Sequence, residues 1–149
     1  MPAPVRAAGW LVACAAALAA YAPVPTQSAQ PCGRSAVTDH ESLIGALRAA
    51  GAKVEQEQML LQPFFDVEAR ILLIDGEGVQ VFEYSDAATA AAQAARVSPD
   101  GSQVGTSKPL WVGPPHFYRK GRLLVLYLGE DTQTRERLAC LLGPPFAER

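Results

Sequence analysis

The sequence predicts an α+β fold, with an antiparallel sheet of about six strands and three helices packed mainly on one face. Three observations predict it: three segments carry apolar residues at helical spacing, short segments rich in β-forming residues lie between them, and most connections are tight turns. Because tight turns join antiparallel neighbours, a doubly wound α/β fold is the less favoured alternative. The length of 149 residues suits one domain with a core, which we expect over residues 38–149.

The three helices are predicted from the residues that begin and end them. Serine, threonine and aspartate accept hydrogen bonds from the free amides at a helix start, and glycine adopts the left-handed conformation that ends a helix. These signals bound three segments: Thr38 to Gly51, Ser85 or Asp86 to about Val97, and Asp131 to Gly143. In the first segment Thr38 and Glu41 have the spacing of a capping box, so Thr38 is the predicted cap.

The strands are predicted from runs of alternating or continuous apolar residues between turn residues. They are an edge strand over 52–60, a strand starting at Pro63, a hairpin of 71–74 and 79–84, a partly extended segment over 103–112, and a second hairpin within 113–131. The edge strand is recognised by charged residues that can point to water, such as Lys53 and Glu55.

The stretch GPPHFYRKGRLLVLYLGED predicts the second hairpin. Glycine accepts positive φ, so Lys120 and Gly121 are predicted at its tip, and this register places His116 opposite Val125 on a packed face. No serine, cysteine or acid close to His116 in the sequence stands in a known nucleophile setting. We therefore interpret His116 as a structural histidine rather than a catalytic base.

Two stretches of the chain resemble each other. PFFDVEARILLI, from Pro63, and PHFYRKGRLLVL, from Pro115, share the same residue at four of twelve offsets. An internal repeat would explain the match, and chance together with the shared sequence pattern of hairpins is the alternative.

The first 29 residues predict a signal peptide. Arg6 is followed by an apolar run over residues 7–22 and then by a segment rich in Pro, Ser and Gln, which is the order of a secretory signal. The run is shorter than the roughly 20 residues that span a membrane. We expect a mature chain that starts between Pro23 and Cys32, a flexible leader over 30–37, and a periplasmic, extracellular or envelope-associated location.

The mature chain keeps two of the three cysteines. In an oxidising compartment Cys32 and Cys140 form the expected disulfide, because Cys140 lies on the opposite side of its helix from the leucine stripe and an exposed free thiol is reactive. An unpaired Cys32 in a disordered leader is the alternative. Cys14 stands in a local lipobox pattern that comes early in the apolar run, which leaves lipid attachment as a further alternative.

The sequence lacks the motifs of several kinds of metal, phosphate-binding and catalytic site. There are two histidines and no Cys-x-x-Cys or His-x-x-x-His spacing, so no metal site is expected. No glycine-rich phosphate loop or Gly-x-Ser-x-Gly motif is present, and we expect no cofactor. Removing residues 1–29 removes Arg6 and no acid, so the net charge of −2 becomes −3, which does not favour nucleic acid as a partner.

Four residues are candidates for a binding surface: Trp111, His116, Tyr118 and Arg119. Aromatic residues and arginine are enriched at binding interfaces. The leading hypothesis is a non-enzymatic binding module for an envelope or extracellular protein or a small ligand, with membrane contact only through the signal segment or a lipid anchor. A small hydrolase or transferase with a dispersed site, such as Glu83 with His116 and Tyr118, is the competing hypothesis.

Four short motifs carry a resemblance to a known group of proteins. They are QPFF from Gln62, VFEY from Val81, SPDG from Ser98 and PHFYRKGR from Pro115. With these motifs the chain resembles small uncharacterised bacterial exported proteins and lipoproteins, from about Thr38 to Phe146. The resemblance implies an envelope location and one compact α+β domain, and it implies no activity.

Overall fold

The computed structural model describes residues 36–149. The predicted signal peptide, Cys14 and Cys32 lie outside these residues, so the predictions about them stay predictions. Among the described residues no helix is both long and apolar enough to cross a membrane. The helices are α1 (His40–Ala49), α2 (Ala87–Ala94) and α3 (Thr132–Leu142), and the strands are β1 (Val54–Leu60), β2 (Ala69–Ile74), β3 (Glu77–Glu83), β4 (Pro115–Lys120), β5 (Leu123–Leu128) and β6 (Ala147–Glu148).

The described strands form one antiparallel sheet, which confirms the predicted α+β class. Their order is β1-β2-β3-β5-β4-β6, and every neighbouring pair is antiparallel. After the β1-β2-β3 meander, α2 and a long loop carry the chain past the position of β5 to β4, and β5 then returns between β3 and β4. The predicted edge position of the first strand is confirmed. Whether the two similar stretches are a repeat stays a prediction.

The sheet carries a core on each of its faces. Helices α1 and α3 cover one face, where Leu43 and Leu138 pack against strand residues such as Val125. Helix α2 and the loop before β2 cover the other face, where Ala90 packs with Leu124. Odd and even residues of β5 belong to opposite cores, as the alternation of a strand requires. Two of the three helices therefore share a face, and α2 lies on the opposite one.

The observed helix ends agree with the predicted ones except at the start of α1 and at the end of α2, which stops at Ala94, three residues before the predicted end. Asp39, not Thr38, is the cap: its side chain accepts from the Ser42 amide at 2.8 Å, and the Ser42 hydroxyl accepts from the Asp39 amide at 3.0 Å. The capping box is thus shifted by one residue, and Asp39 and Ser42 satisfy each other's amides in place of the predicted pair Thr38 and Glu41. The caps Asp86 and Asp131 are confirmed.

Two predicted strands are absent among the described residues, and one strand was missed. The segment from Pro63 is a turn that places Phe64 and Phe65 in the α2-side core, so the aromatic run indicated burial and not extension. In residues 103–112 the only pairing is two isolated bridges made by Val104. The short strand β6 pairs with the start of β4.

The β4–β5 hairpin has a different register from the predicted one. Its turn is Gly121-Arg122, so Lys120 pairs with Leu123, and His116 lies opposite Tyr127 rather than Val125. Gly121 has a φ of +53°, and it occupies the first central position, where a two-residue hairpin turn of type II′ needs glycine. The prediction had placed the glycine one position later in the turn.

Candidate binding site at the base of the β4–β5 hairpin

His116 lies in a filled part of the core. Its side chain is buried, and its ring stacks on that of Tyr127 with centroids 6.0 Å apart. Nδ1 lies 3.1 Å from the Glu148 carboxylate, and Nε2 lies 3.0 Å from the carbonyl oxygen of Gly129. The sequence could not reveal Glu148 as a partner, because the two residues are 32 positions apart and meet only through the pairing of β6 with β4.

Both ring nitrogens of His116 face acceptors. Each nitrogen therefore has a polar partner within the fold. A general base needs a ring nitrogen that faces the substrate, and in this geometry neither nitrogen does so. The ring instead ties β4 to β6 and to the loop after β5, and the interpretation of His116 as structural agrees with this geometry.

The residues around His116 form a partly buried polar network that includes Arg135 of α3. The Tyr127 hydroxyl donates to Glu77 at 2.8 Å and accepts from the Asp131 amide at 3.1 Å. Burial and the hydrogen bond to Glu77 raise the pKa of Tyr127 to about 12. Arg135 lies 3.4 Å from the same Glu148 carboxylate that His116 contacts. Each of these contacts fixes one element on another, so the network stabilises the fold at this end of the sheet.

Tyr118 is also a core residue. It is buried on the side of α1 and α3, and burial raises the pKa of its hydroxyl above the ordinary value. In this structure a partner therefore reaches neither His116 nor Tyr118.

The dispersed residues of the competing hypothesis lie apart. Glu83 is paired with Leu123, and His116 with Tyr127. Four residues of β5 separate these positions, which is roughly 13 Å along a strand. Glu83 is instead paired with Arg122 at 2.5 Å, at the other end of the hairpin.

Trp111 is held in place by the core on the α2 side. Its Nε1 donates to the carbonyl of Gly101 at 2.8 Å. Its ring makes edge contacts with Phe64 and Phe117, with centroids 5.5 and 6.0 Å apart. A side chain at position 101 would meet Pro115 at 2.9 Å, so this close approach requires the glycine.

The two neighbours of Trp111 point into solvent. Leu110 is 99% exposed and Val112 is 92% exposed. Because Trp111 between them is anchored by one hydrogen bond and two ring contacts, the segment over residues 108–112, here called the docking loop, presents two aliphatic side chains from a fixed backbone. Phe146, which is 38% exposed, contacts the Phe117 ring that also contacts Trp111, so it adds apolar surface on the same side.

The four predicted binding residues are thus divided by the structure. Trp111 lies in the docking loop, His116 and Tyr118 lie in the core, and Arg119 is exposed towards the hairpin turn. Leu110 and Val112 were not among the predicted binding residues. The sequence signal for them is two large aliphatic residues between Pro109 and the Gly-Pro pair at 113–114, where a proline disfavours a central strand.

Two further features concern the metal-ligand side chains and the cysteine of α3. Residues 36–149 contain no group of three or more histidine, cysteine or acidic side chains placed to hold a metal ion. Cys140 is half-buried on α3, and its thiol group is not free. Cys32 lies outside the described residues, so the predicted Cys32–Cys140 bond stays a prediction.

Comparisons of the chain with models of protein families, with curated proteins and with solved structures found no match.

Proposed function

We propose that this chain is an exported, non-enzymatic binding module that docks a partner protein of the cell envelope through the docking loop. The observation that carries the proposal is the exposure of Leu110 and Val112 on either side of the anchored Trp111. A contiguous exposed apolar patch is the surface feature that most often marks an interaction site on a soluble protein, and Leu110, Val112 and the partly exposed Phe146 supply such surface here.

The free energy available from this loop suits docking. Burying a leucine or valine side chain contributes about 1.5 to 3 kcal/mol each, so the pair supplies about 4 kcal/mol. The contacts of Trp111 fix the backbone before the partner arrives, which lowers the conformational entropy lost on binding.

A protein surface fits the loop better than a lipid surface. Lys108 is the one charged residue of the loop, and the whole chain has a net charge of −2. Stable attachment to an anionic membrane takes an apolar anchor together with a cluster of basic residues. With a single lysine beside them, Leu110 and Val112 favour an apolar recess on a protein.

The environment of His116 supports a binding role over a catalytic one. Both ring nitrogens are occupied and the ring stacks on Tyr127, so the histidine has no free position for a substrate. Glu83, the acid of the competing hydrolase hypothesis, is paired with Arg122 at the far end of the hairpin.

The proposal is tested by crosslinking from defined positions in the exported protein. A photoreactive residue at position 110 should give one main adduct in the envelope fraction, and one at the exposed position Lys53 should not give it. Val112→Ser in the 110-labelled protein should reduce the adduct at least tenfold while urea unfolding is unchanged. An adduct equally strong from position 53, or insensitive to Val112→Ser, contradicts the proposal, and so does binding to lipid vesicles that needs Leu110.

A further inference from the structure

A cleft of about 560 Å³ lies at the opposite end of the β4–β5 hairpin from the docking loop. Its walls are the end of β1, the start of β2, the end of β3 and the hairpin turn. The volume falls within the range of about 300 to 1,000 Å³ that small-molecule sites occupy. Because the docking loop precedes β4 and the cleft includes Arg122 of the turn, the two sites share no residue.

The apolar part of the cleft comes from one row across the sheet and from the loop before β2. Met59 pairs with Arg70, and Arg70 pairs with Val81, so the three side chains lie on the same face. Met59 is 57% exposed and Val67 is half-buried, so both have surface left for a ligand to cover. The cleft therefore offers a patch suited to a short aliphatic side chain.

The charged part of the cleft contains one pair and two unpaired groups. Glu83 and Arg122 neutralise each other at 2.5 Å. Arg70 and Glu68 are both exposed, and within residues 36–149 neither makes an ion pair. They flank the buried Ala69, the first residue of β2, and both line the cleft. One free positive and one free negative charge thus stand about 7 Å apart along the backbone.

Arg70 is held in position by a buried histidine. Its guanidinium lies 3.3 Å from Nδ1 of His40, which is 1% exposed in the first turn of α1. A guanidinium only donates, so a hydrogen bond between the two groups has Nδ1 as its acceptor, and the carboxylate of Glu41 lies 3.5 Å from the same nitrogen. One arm of the group is fixed by this contact, and its remaining N–H groups stay available to a ligand carboxylate, for which the planar guanidinium is the best-matched side chain.

We propose that the cleft binds a free α-amino acid with an aliphatic side chain. Arg70 takes the carboxylate, Glu68 takes the ammonium group, and the side chain lies against the accessible surface of Met59 and Val67. A zwitterion with one apolar arm satisfies both unpaired charges and covers the exposed apolar surface at once. A simple carboxylate leaves Glu68 unpaired, and a simple amine leaves Arg70 unpaired. This inference does not depend on the proposed role of the docking loop.

The ligand class is tested by titrating the exported, oxidised protein with L-leucine and with two analogues that each lack one charge. Binding is followed by calorimetry and by amide chemical shifts. We expect saturable binding of L-leucine with a Kd below about 1 mM and shifts confined to the ends of β1, β2 and β3. 4-Methylpentanoate, which has no ammonium group, and L-leucinamide, which has no carboxylate, should each bind at least tenfold more weakly. Equal binding of L-leucine and either analogue, or no saturation by L-leucine, overturns the proposal.

The residues are tested by matched substitutions of single charges. Arg70→Gln and Glu68→Gln should each weaken L-leucine binding at least tenfold, and Glu68→Gln should leave the binding of 4-methylpentanoate unchanged. Arg119→Gln removes an exposed cation of the same hairpin outside the cleft and is the control. If the control weakens binding as much as Arg70→Gln does, the effect is one of net charge and the assignment fails. Glu68 makes no ion pair in the structure, so Glu68→Gln keeps the test valid if Arg70→Gln destabilises the fold.

Discussion

Replacing His116 with alanine tests whether the buried network at the base of the hairpin stabilises the fold. Removing a buried ring that stacks on Tyr127 leaves a cavity, at a cost of about 2 to 3 kcal/mol. The hydrogen bonds to Glu148 and to the Gly129 carbonyl are also lost, at about 1 kcal/mol each. Glu148 is 46% exposed and can be rehydrated, which offsets part of this loss. We expect the free energy of unfolding to fall by about 3 to 4 kcal/mol in total.

Urea unfolding followed by circular dichroism measures this change. With an m value of about 1.5 kcal/mol per M, the midpoint should fall by about 2 to 3 M while m stays constant. The melting temperature should fall by roughly 4 °C for each kcal/mol in a domain of this size. Binding at the docking loop should be retained in His116→Ala below its melting temperature.

Two further variants isolate the hydrogen bond between His116 and Glu148. Arg119→Ala, on the same strand but exposed, should change stability by less than about 0.5 kcal/mol. A double-mutant cycle of His116→Ala with Glu148→Ala should give a coupling energy of about 1 kcal/mol. If His116→Ala costs less than about 1 kcal/mol, or the coupling is zero, the network does not hold β6 on β4 and the reasoning is refuted.

Three further predictions concern the helix cap, the hairpin turn and the cysteines. The Thr134 amide donates a hydrogen bond to the Asp131 carboxylate and so lowers the pKa of Asp131. The stabilisation from this cap is present above the ordinary pKa of 3.8 and is lost as pH falls through the lowered value. Asp131→Asn still caps the helix without titrating, so its urea midpoint should fall less between about pH 5 and about pH 2, and an unchanged pH profile would contradict this. Gly121→Val places a β-branched residue at a φ of +53° and should cost about 1 to 2 kcal/mol in thermal unfolding, whereas Gly121→Asn should cost less than half of that; equal losses would show that the turn does not keep this conformation. The protein without residues 1–29, purified under oxidising conditions, should gain no mass on alkylation before reduction and two adducts after it. Labelling of Cys32 or Cys140 before reduction would rule out the bond between them.

The sequence allowed the fold class to be predicted because its strongest signals are local. Asp86 and Asp131 cap their helices through amides three residues away, and the Asp75-Gly76 turn joins neighbouring strands. Such contacts form within a few residues, so spacing alone reveals them. The same kind of local pattern predicted the cap of α1 one residue too early, at Thr38, because Asp39 and Ser42 offer an equally good capping box.

The candidate site was predicted less well because its contacts are distant in sequence. Trp111 was identified by residue type, but its anchoring depends on Gly101 and on rings from two other segments. Leu110 and Val112 resemble core residues in composition, and only the anchoring of Trp111 between them turns both outwards.

The sequence by itself determined the helices of residues 36–149, the antiparallel class of their sheet and the presence of only two histidines as candidate metal ligands or bases. These depend on capping, alternation and residue counts, which are properties of neighbouring residues. Only the tertiary structure decided that α2 lies on the opposite face, that β6 brings Glu148 to His116, and that the cleft holds Arg70 beside Glu68. Those outcomes depend on which segments, distant in sequence, come to pair with each other. The free energy of such pairing comes from burial and packing over the whole chain, so no short sequence pattern identifies the partner segment.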